Sequence, residues 1–217
     1  MTDAVKIDIW SDVACPWCYI GKRKFEEGAR RAEVPVEVEY HSFELSPDTP
    51  ETYAGSTAEY LSKHKGLPIA DAHRMLDQVT AIAASVGLHY DFDTVVHTKT
   101  LLAHELLHAA KAQGRQLETA EVVFRAYFEQ GRHVGRIDDL VELGVEAGLN
   151  PDVTRAALES HEYVGDVQAD IAQAVAYGIR GVPFFVIDGR YGVSGAQDPE
   201  VFADALRQVA AEQESVR

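Results

Sequence analysis

The sequence predicts an α/β fold, in which a mixed sheet flanked by helices is interrupted after its second strand by a large all-helical insertion. Apolar and polar residues alternate, with the period of a half-buried strand, near both ends of the chain but not between residues 56 and 178. A chain of 217 residues that is 46% hydrophobic can bury a core of this extent. We therefore expect one domain built from residues 1–55 and 179–217, with residues 56–178 as an inserted helical domain.

The N-terminal segment predicts a strand, a helix and a second strand. The first strand covers Val5 to Trp10, where apolar and polar residues alternate. The helix begins at Pro16, because proline lacks the N–H that would be unpaired in a first helical turn. Alternation returns from Val34 to Phe43, which gives the second strand. Beyond residue 56, glycine and proline breakers separate roughly five to seven helices.

The C-terminal segment completes the sheet. A buried strand runs from Pro183 to Ile187, turns through Asp188-Gly189, and is followed by a second strand from Tyr191 to Ser194. A closing helix is capped at Asp198-Pro199-Glu200 and extends to about Ala211. Neither end of the chain supplies enough strands for a sheet by itself, so we expect all four strands to share one sheet.

The charge of the chain narrows the choice of partners. A formal net charge of −15 leaves no basic stripe for phosphates, so nucleic acid and anionic membrane surfaces are excluded as partners. The first ten residues lack a signal-peptide pattern, and no stretch reaches the roughly 20 apolar residues of a membrane span. We therefore expect a cytoplasmic protein whose partners are small molecules or other proteins, with the oligomeric state open.

Both cysteines of the chain fall in one tetrapeptide, Cys15-Pro16-Trp17-Cys18. Two cysteines at this spacing cannot form the disulfide framework of a small secreted fold, and no second pair follows to complete a zinc site. They are therefore a redox pair or an accidental one. Cys15 lies at the N-terminus of the predicted helix, where unpaired N–H groups and the helix dipole favour a thiolate. This position predicts redox chemistry.

The two thiols are predicted to have different roles. Cys15 is the nucleophile, while Cys18, one helical turn further on, attacks the mixed disulfide formed on Cys15 and releases the product. We expect Cys18 to be the more buried of the two. Pro16 and Trp17 lie between them, and we place both at the bound substrate.

Four further segments carry a resemblance to a known family; they are Phe43-Glu44-Leu45, Ala126-Tyr127-Phe128, Gly181-Val182-Pro183-Phe184-Phe185 and Gly195-Ala196-Gln197. With the dithiol, they resemble the FrnE-type subfamily of the DsbA-like branch of the thioredoxin superfamily. The resemblance covers essentially the whole chain and implies a thioredoxin fold.

The resemblance also implies a function and a second binding element. It implies a thiol-disulfide oxidoreductase, acting as a reductase or isomerase on protein or small-thiol substrates. No cofactor is expected beyond the redox-active dithiol, with glutathione open as a co-substrate. The Val182–Pro183 bond would be cis, and the Val182 backbone would pair with an extended substrate near the active sulfur.

The segment His104-Glu105-Leu106-Leu107-His108 competes with this interpretation, because it matches the pattern of a zinc protease. Such a site needs a third ligand, and the extended pattern is not met at Lys111 and Gly114. We therefore predict no metal. His97, His104 and His108 are interpreted instead as a polar stripe on one helix, running from residue 97 to 114, that faces the other domain.

Two residues are candidate modulators of the dithiol. Asp12 follows the first strand, and we favour a role as backbone acceptor over a role as proton relay. A protonated His104 close to Cys15 would favour the thiolate further.

Three other functions remain as alternatives. Glutathione-dependent isomerases and transferases of the hydroxychromene-carboxylate isomerase and kappa type share the insertion architecture, but usually lack the second cysteine. The remaining alternatives are a zinc hydrolase and a non-catalytic binding module with a chaperone-like helical cap.

Overall fold

The structure is a computed structural model that describes residues 4–215. Four strands form one mixed sheet in the order β2-β1-β3-β4, and their bounds are Val5–Ser11 for β1, Val36–Ser42 for β2, Phe184–Ile187 for β3 and Tyr191–Ser194 for β4. β1 is parallel to β2 and antiparallel to β3, which pairs with β4 in a hairpin. The first two strands and the last two therefore share one sheet, as predicted.

β1 lies at the centre of the core. Ile7 is opposite Val38 on one side and opposite Ile187 on the other, so β1 is hydrogen-bonded along both edges. On one face of β1, Val5, Ile7 and Ile9 are at most 2% exposed, and on the other face Trp10 is 1% exposed. Because the carboxyl end of this rigid strand leads directly into the segment before Cys15, the core fixes the position of the dithiol.

Two helices pack together beside the sheet. These are α1 (Pro16–Ala32) and α9 (Pro199–Ser215). They approach so closely at Gly28 that a Cβ atom there would lie 2.6 Å from the Pro199 carbonyl oxygen. Phe185 of β3 packs on Phe202 of α9, with 4.7 Å between ring centroids. This aromatic core holds the helix that begins at the dithiol.

Seven helices follow β2 within the described residues, at the upper end of the predicted range. Their bounds are Thr57–Lys65 for α2, Ile69–Ser85 for α3, Leu101–Ala112 for α4, Gln116–Glu129 for α5, Ile137–Glu146 for α6, Pro151–Glu159 for α7 and Val164–Ala176 for α8. No strand occurs among them in residues 56–178. A mixed sheet with a helical segment after the second strand is therefore confirmed.

The division into two domains at residues 55 and 179 stays a prediction, and its residues 1–3 and 216–217 lie outside the described range. Within residues 4–215, no helix combines the length and the apolar character that a membrane span requires.

A buried polar network connects the sheet to the inserted helices. Asp170 of α8 accepts hydrogen bonds from His41 Nδ1 at 2.8 Å and from the Ser42 N–H at 2.8 Å, and lies 3.0 Å from His108 Nε2. Burial opposes ionisation of Asp170, but these donors outweigh it and hold its pKa below the ordinary value. His41 also contacts Asp8 through Nε2 at 2.9 Å. Burial lowers the pKa of His41, but both carboxylates raise it, and the net shift is upward.

We expect Asp170→Asn to lower the free energy of unfolding by about 2 kcal/mol at pH 6, because charge-assisted hydrogen bonds are lost in a buried position.

The stability that ionised Asp170 contributes is present above its unfolded pKa of about 4, and it is lost as pH falls through the lower folded pKa. The stability that protonated His41 contributes is present below about pH 6.5, and it is lost as pH rises through the raised folded pKa of His41. Urea unfolding from pH 3 to 8 measures the change due to His41 and the beginning of the loss due to Asp170. Asp166→Asn, on the exposed side of α8, is the matched control. Equal stabilities of the two variants would contradict the account.

Candidate active site

The dithiol lies where α1 begins. Cys15 is the N-cap residue, in extended conformation, and Pro16 occupies the first helical turn. The Cys18 N–H donates to the Cys15 carbonyl at 3.0 Å, which places the two side chains one turn apart. Both cysteines are free thiols. The Cys15 side chain makes no cap hydrogen bond with the first turn of α1.

Val182 lies directly against the first thiol. The Cys15 Sγ donates to the Val182 carbonyl oxygen at 3.6 Å, although 167 positions separate the two residues. The Val182–Pro183 peptide bond is cis, as the resemblance implied. In the described part of the chain, the Val182 N–H donates to no backbone acceptor. The geometry therefore leaves one backbone donor beside the sulfur for an extended substrate.

The two thiols are almost equally buried, which differs from the expected contrast. Cys15 is 3% exposed and Cys18 is 2% exposed. The Val182 carbonyl, 3.6 Å from the Cys15 sulfur, contributes to the burial of Cys15. The thiols differ in environment instead: burial, and then the neighbouring Cys15, raise the pKa of Cys18 well above its ordinary value, while the Ser11 side chain partly opposes this shift. Cys18 therefore holds its proton in the reduced protein.

Asp12 is a backbone acceptor, as we favoured. Its Oδ1 accepts from the Ala14 N–H at 3.1 Å and its Oδ2 accepts from the Leu45 N–H at 2.7 Å. The carboxylate thus joins the segment before Cys15 to the segment after β2. His104 Nε2 lies 3.5 Å from Asp12 Oδ1. His104 Nε2 is therefore directed to Asp12, and its predicted effect on Cys15 stays a prediction.

The three side chains of the zinc-protease pattern contact three different partners. His104 faces Asp12, His108 Nε2 lies 3.0 Å from Asp170, and Glu105 Oε1 lies 2.9 Å from His161 Nδ1. A zinc ion held through Nε2 of both histidines would require His108 to leave the Asp170 carboxylate. These three side chains of one buried helix have different neighbours, so their spacing alone does not create a set of zinc ligands.

His97 is not on the helix that carries the other two histidines, which corrects the predicted stripe. α4 begins at Leu101, and His97 lies in the preceding loop. That loop is held away from helical geometry because the Lys99 N–H donates to the Pro50 carbonyl at 3.0 Å. His97 Nδ1 instead lies 3.2 Å from the Tyr127 hydroxyl. Burial and the nearby His64 lower the pKa of His97 to about 4, so its imidazole is neutral at pH 7.

A cavity of about 420 Å³ opens beside Cys15 and is walled by α2, α3 and the loop around His97. Trp17, which is 39% exposed, stands at its rim. Tyr90 contributes from outside by donating its hydroxyl to the Pro16 carbonyl at 2.7 Å. Sequence patterns did not predict this cavity, because its walls come from segments far apart in the chain. Only the position of Trp17 next to the nucleophile pointed toward it.

Comparison with known families decides the assignment. The model of the DSBA-like thioredoxin domain matches residues 6–207. The chain belongs to this family. The predicted thioredoxin fold and DsbA-like branch are thereby confirmed, while the FrnE-type subfamily stays a prediction.

Relatives of this DsbA-like chain have been found by sequence and by structure. The uncharacterized protein YwbO of Bacillus subtilis (strain 168) is 34% identical over 209 residues, which cover 93% of this chain and 96% of that protein. The crystal structure of the probable DsbA oxidoreductase SCO1869 from Streptomyces coelicolor shares 40% identity with a TM-score of 0.88, and covers 96% of this chain and 91% of that one. In its general class, the protein is a DsbA-like oxidoreductase.

Two more distant structures share the fold alone. The cytosolic disulfide reductase DsbM from Pseudomonas aeruginosa is 18% identical, with a TM-score of 0.62 over 98% of this chain and 100% of that one. A 2-hydroxychromene-2-carboxylate isomerase is 13% identical, with a TM-score of 0.72 over 98% of this chain and 99% of that one.

Proposed function

We propose that the protein reduces or isomerises disulfides through Cys15 and Cys18. The observation that carries this proposal is the placement of the Cys15 thiol at the start of α1 and 3.6 Å from the Val182 carbonyl. The neighbouring Val182 backbone offers an edge on which an extended substrate can lie while its disulfide reaches Cys15. Pro16 and Pro183 border this edge.

The reaction consists of two exchange steps. The Cys15 thiolate attacks one sulfur of the substrate disulfide, a bond forms between enzyme and substrate, and the other substrate sulfur leaves as a thiolate. Cys18 then loses its proton and attacks the Cys15 sulfur, which releases the second substrate thiol. The substrate gains two electrons, and the enzyme dithiol becomes a disulfide. A thiol reductant, such as glutathione, restores the dithiol.

The substrates that we propose are protein disulfides or small disulfides, in the cytoplasm. In a reducing compartment the pair rests as a dithiol, which favours reduction or isomerisation over net oxidation. The −15 charge supports proteins or small thiols, rather than nucleic acid or membrane, as partners. We place the protein in the FrnE-type subfamily on the same motifs that first indicated it.

A glutathione-dependent isomerase or transferase is the competing function for this architecture. Such chemistry needs glutathione bound at the N-terminus of α1 but needs no resolving thiol. The free Cys18 thiol, buried one turn from Cys15, favours disulfide exchange instead.

Turnover of the wild-type protein tests the proposal. With dithiothreitol as reductant, we expect the protein to accelerate the reduction of insulin or of an uncharged peptide disulfide. The Cys18→Ala variant should turn over more slowly, because the mixed disulfide on Cys15 is then released only by dithiothreitol from solution. Glutathione conjugation that survives in Cys18→Ala, with no disulfide reduction by the wild type, would overturn the proposal in favour of the transferase.

A further inference from the structure

One wall of the cavity beside Cys15 is a stack of rings. Tyr60 of α2 lies between two imidazoles, with its ring centroid 4.2 Å from that of His97 and 4.8 Å from that of His64. The interplanar angles are 9° and 20°, so the three rings form one column. All three residues line the same cavity as Cys15. The column therefore belongs to the surroundings of the reacting sulfur.

Two polar atoms of the column are engaged within the protein, whereas His97 Nε2 makes no hydrogen bond with any of the described residues. The Tyr60 hydroxyl lies 2.8 Å from Thr49 Oγ1, and His64 Nε2 lies 3.2 Å from Ser46 Oγ. Asp12, the acid that borders the cavity, uses both oxygens on backbone N–H groups. The column therefore presents mainly ring carbon to the cavity, and the lining elsewhere includes the cationic side chain of Lys65.

Another part of the lining is aliphatic and comes from α3. Met75 and Leu76 line the cavity there, with Val79 about one helical turn further on. A thioether and ring edges are favourable neighbours for an aromatic ring, which gains edge-to-face and sulfur–aromatic contacts beyond its buried area. The cavity is also large enough: about 420 Å³ is available here, whereas an engineered apolar cavity of roughly 150 Å³ accommodates benzene. This volume suffices for a ring as large as indole.

We infer that this cavity is a specificity subsite that holds an uncharged aromatic side chain next to the disulfide of the substrate. The inference rests on the proposed function and names its substrate class: disulfides whose cysteine is flanked by tryptophan or phenylalanine. The ring enters between the Tyr60 column and α3 while the substrate sulfur reaches Cys15.

Three blocked tripeptides test the subsite, with cysteine in the middle, glycine after it, and tryptophan, leucine or alanine before it. Each is supplied as its symmetric disulfide, and the rate constant for oxidation of the reduced enzyme is measured by acid quench and chromatography. We expect the tryptophan peptide to react about tenfold faster than the alanine peptide. The leucine peptide should fall between them.

Two variants of α3 connect this preference to the cavity. Leu76→Trp fills the space from the lining side, and we expect it to remove the preference for tryptophan while the alanine peptide keeps its rate. Gln78→Trp adds the same ring on the exposed side of α3 and is the matched control. The alanine rate also reports, in each variant, that the dithiol chemistry and the fold are intact.

The possible outcomes distinguish failure of the aromatic subsite from failure of the proposed function. Equal wild-type rates for all three peptides, or for leucine and tryptophan, would overturn the aromatic subsite and leave the proposed function standing. A tryptophan preference that persists in Leu76→Trp would locate the recognition elsewhere and also overturn the inference. If the wild-type protein reduces none of the peptides, the proposed function fails, and the subsite fails with it.

Discussion

Cys15→Ser is expected to reduce disulfide exchange to the rate of the uncatalysed reaction between reductant and substrate. A serine hydroxyl at the start of α1 stays protonated at pH 7 and cannot form the mixed disulfide. Cys18 does not replace it, because burial keeps the pKa of that thiol well above its ordinary value. The fold should survive, since one buried sulfur is exchanged for one oxygen at the end of a helix.

The measurement is reduction of the alanine peptide disulfide at pH 7 with dithiothreitol in excess. Thermal unfolding of the same variant is the control for its fold. Turnover by Cys15→Ser above a tenth of the wild-type rate would remove Cys15 from the role of nucleophile.

Gly21→Ala is expected to slow disulfide exchange by at least about tenfold while the protein stays folded. Gly21 lies in α1, and a Cβ atom there would lie 2.8 Å from Pro183 Cγ, which is shorter than a van der Waals contact. Pro183 is a rigid ring, so it must move, and Val182 moves with it away from Cys15. The added methyl group also favours the helix by about 1 kcal/mol, which offsets part of the clash in stability.

Gly165→Ala is the matched control for this prediction. Gly165 is also helical, in α8, and a Cβ atom there would have no neighbour within 4 Å. We expect its exchange rate to equal that of the wild type. If Gly21→Ala kept the full rate, the contact between α1 and Pro183 would not position the site.

The sequence predicted most of the elements that build the site, because their signals are local. Alternation over Val5 to Trp10 and from Tyr191 to Ser194 marks strands whichever helices cover them. Pro16 marks the start of α1, and this start places the two cysteines at the N-terminus of the helix. The resemblance supplied Val182 and Pro183, which no local pattern connects with Cys15 across 167 positions.

The features that sequence patterns missed depend on contacts between distant segments. The Asp170 network joins residues that are 129 positions apart, and nothing in either segment indicates the pairing. The loop at His97 looked helical because its residues continue the periodicity of α4, yet Pro50 and Tyr127 hold it in place. The aromatic column arises only where this loop packs against α2. The equal burial of the two thiols likewise depends on the distant Val182.

The separate roles of the two thiols are tested most directly by trapping the intermediate. Cys18→Ser is treated with one equivalent of the alanine peptide disulfide, and the product is digested and analysed by mass spectrometry. The account predicts one peptide bound through a disulfide to Cys15, stable until a thiol reductant is added, and no adduct in Cys15→Ser. An adduct on Cys18 in Cys15→Ser, with none on Cys15 in Cys18→Ser, would contradict the account.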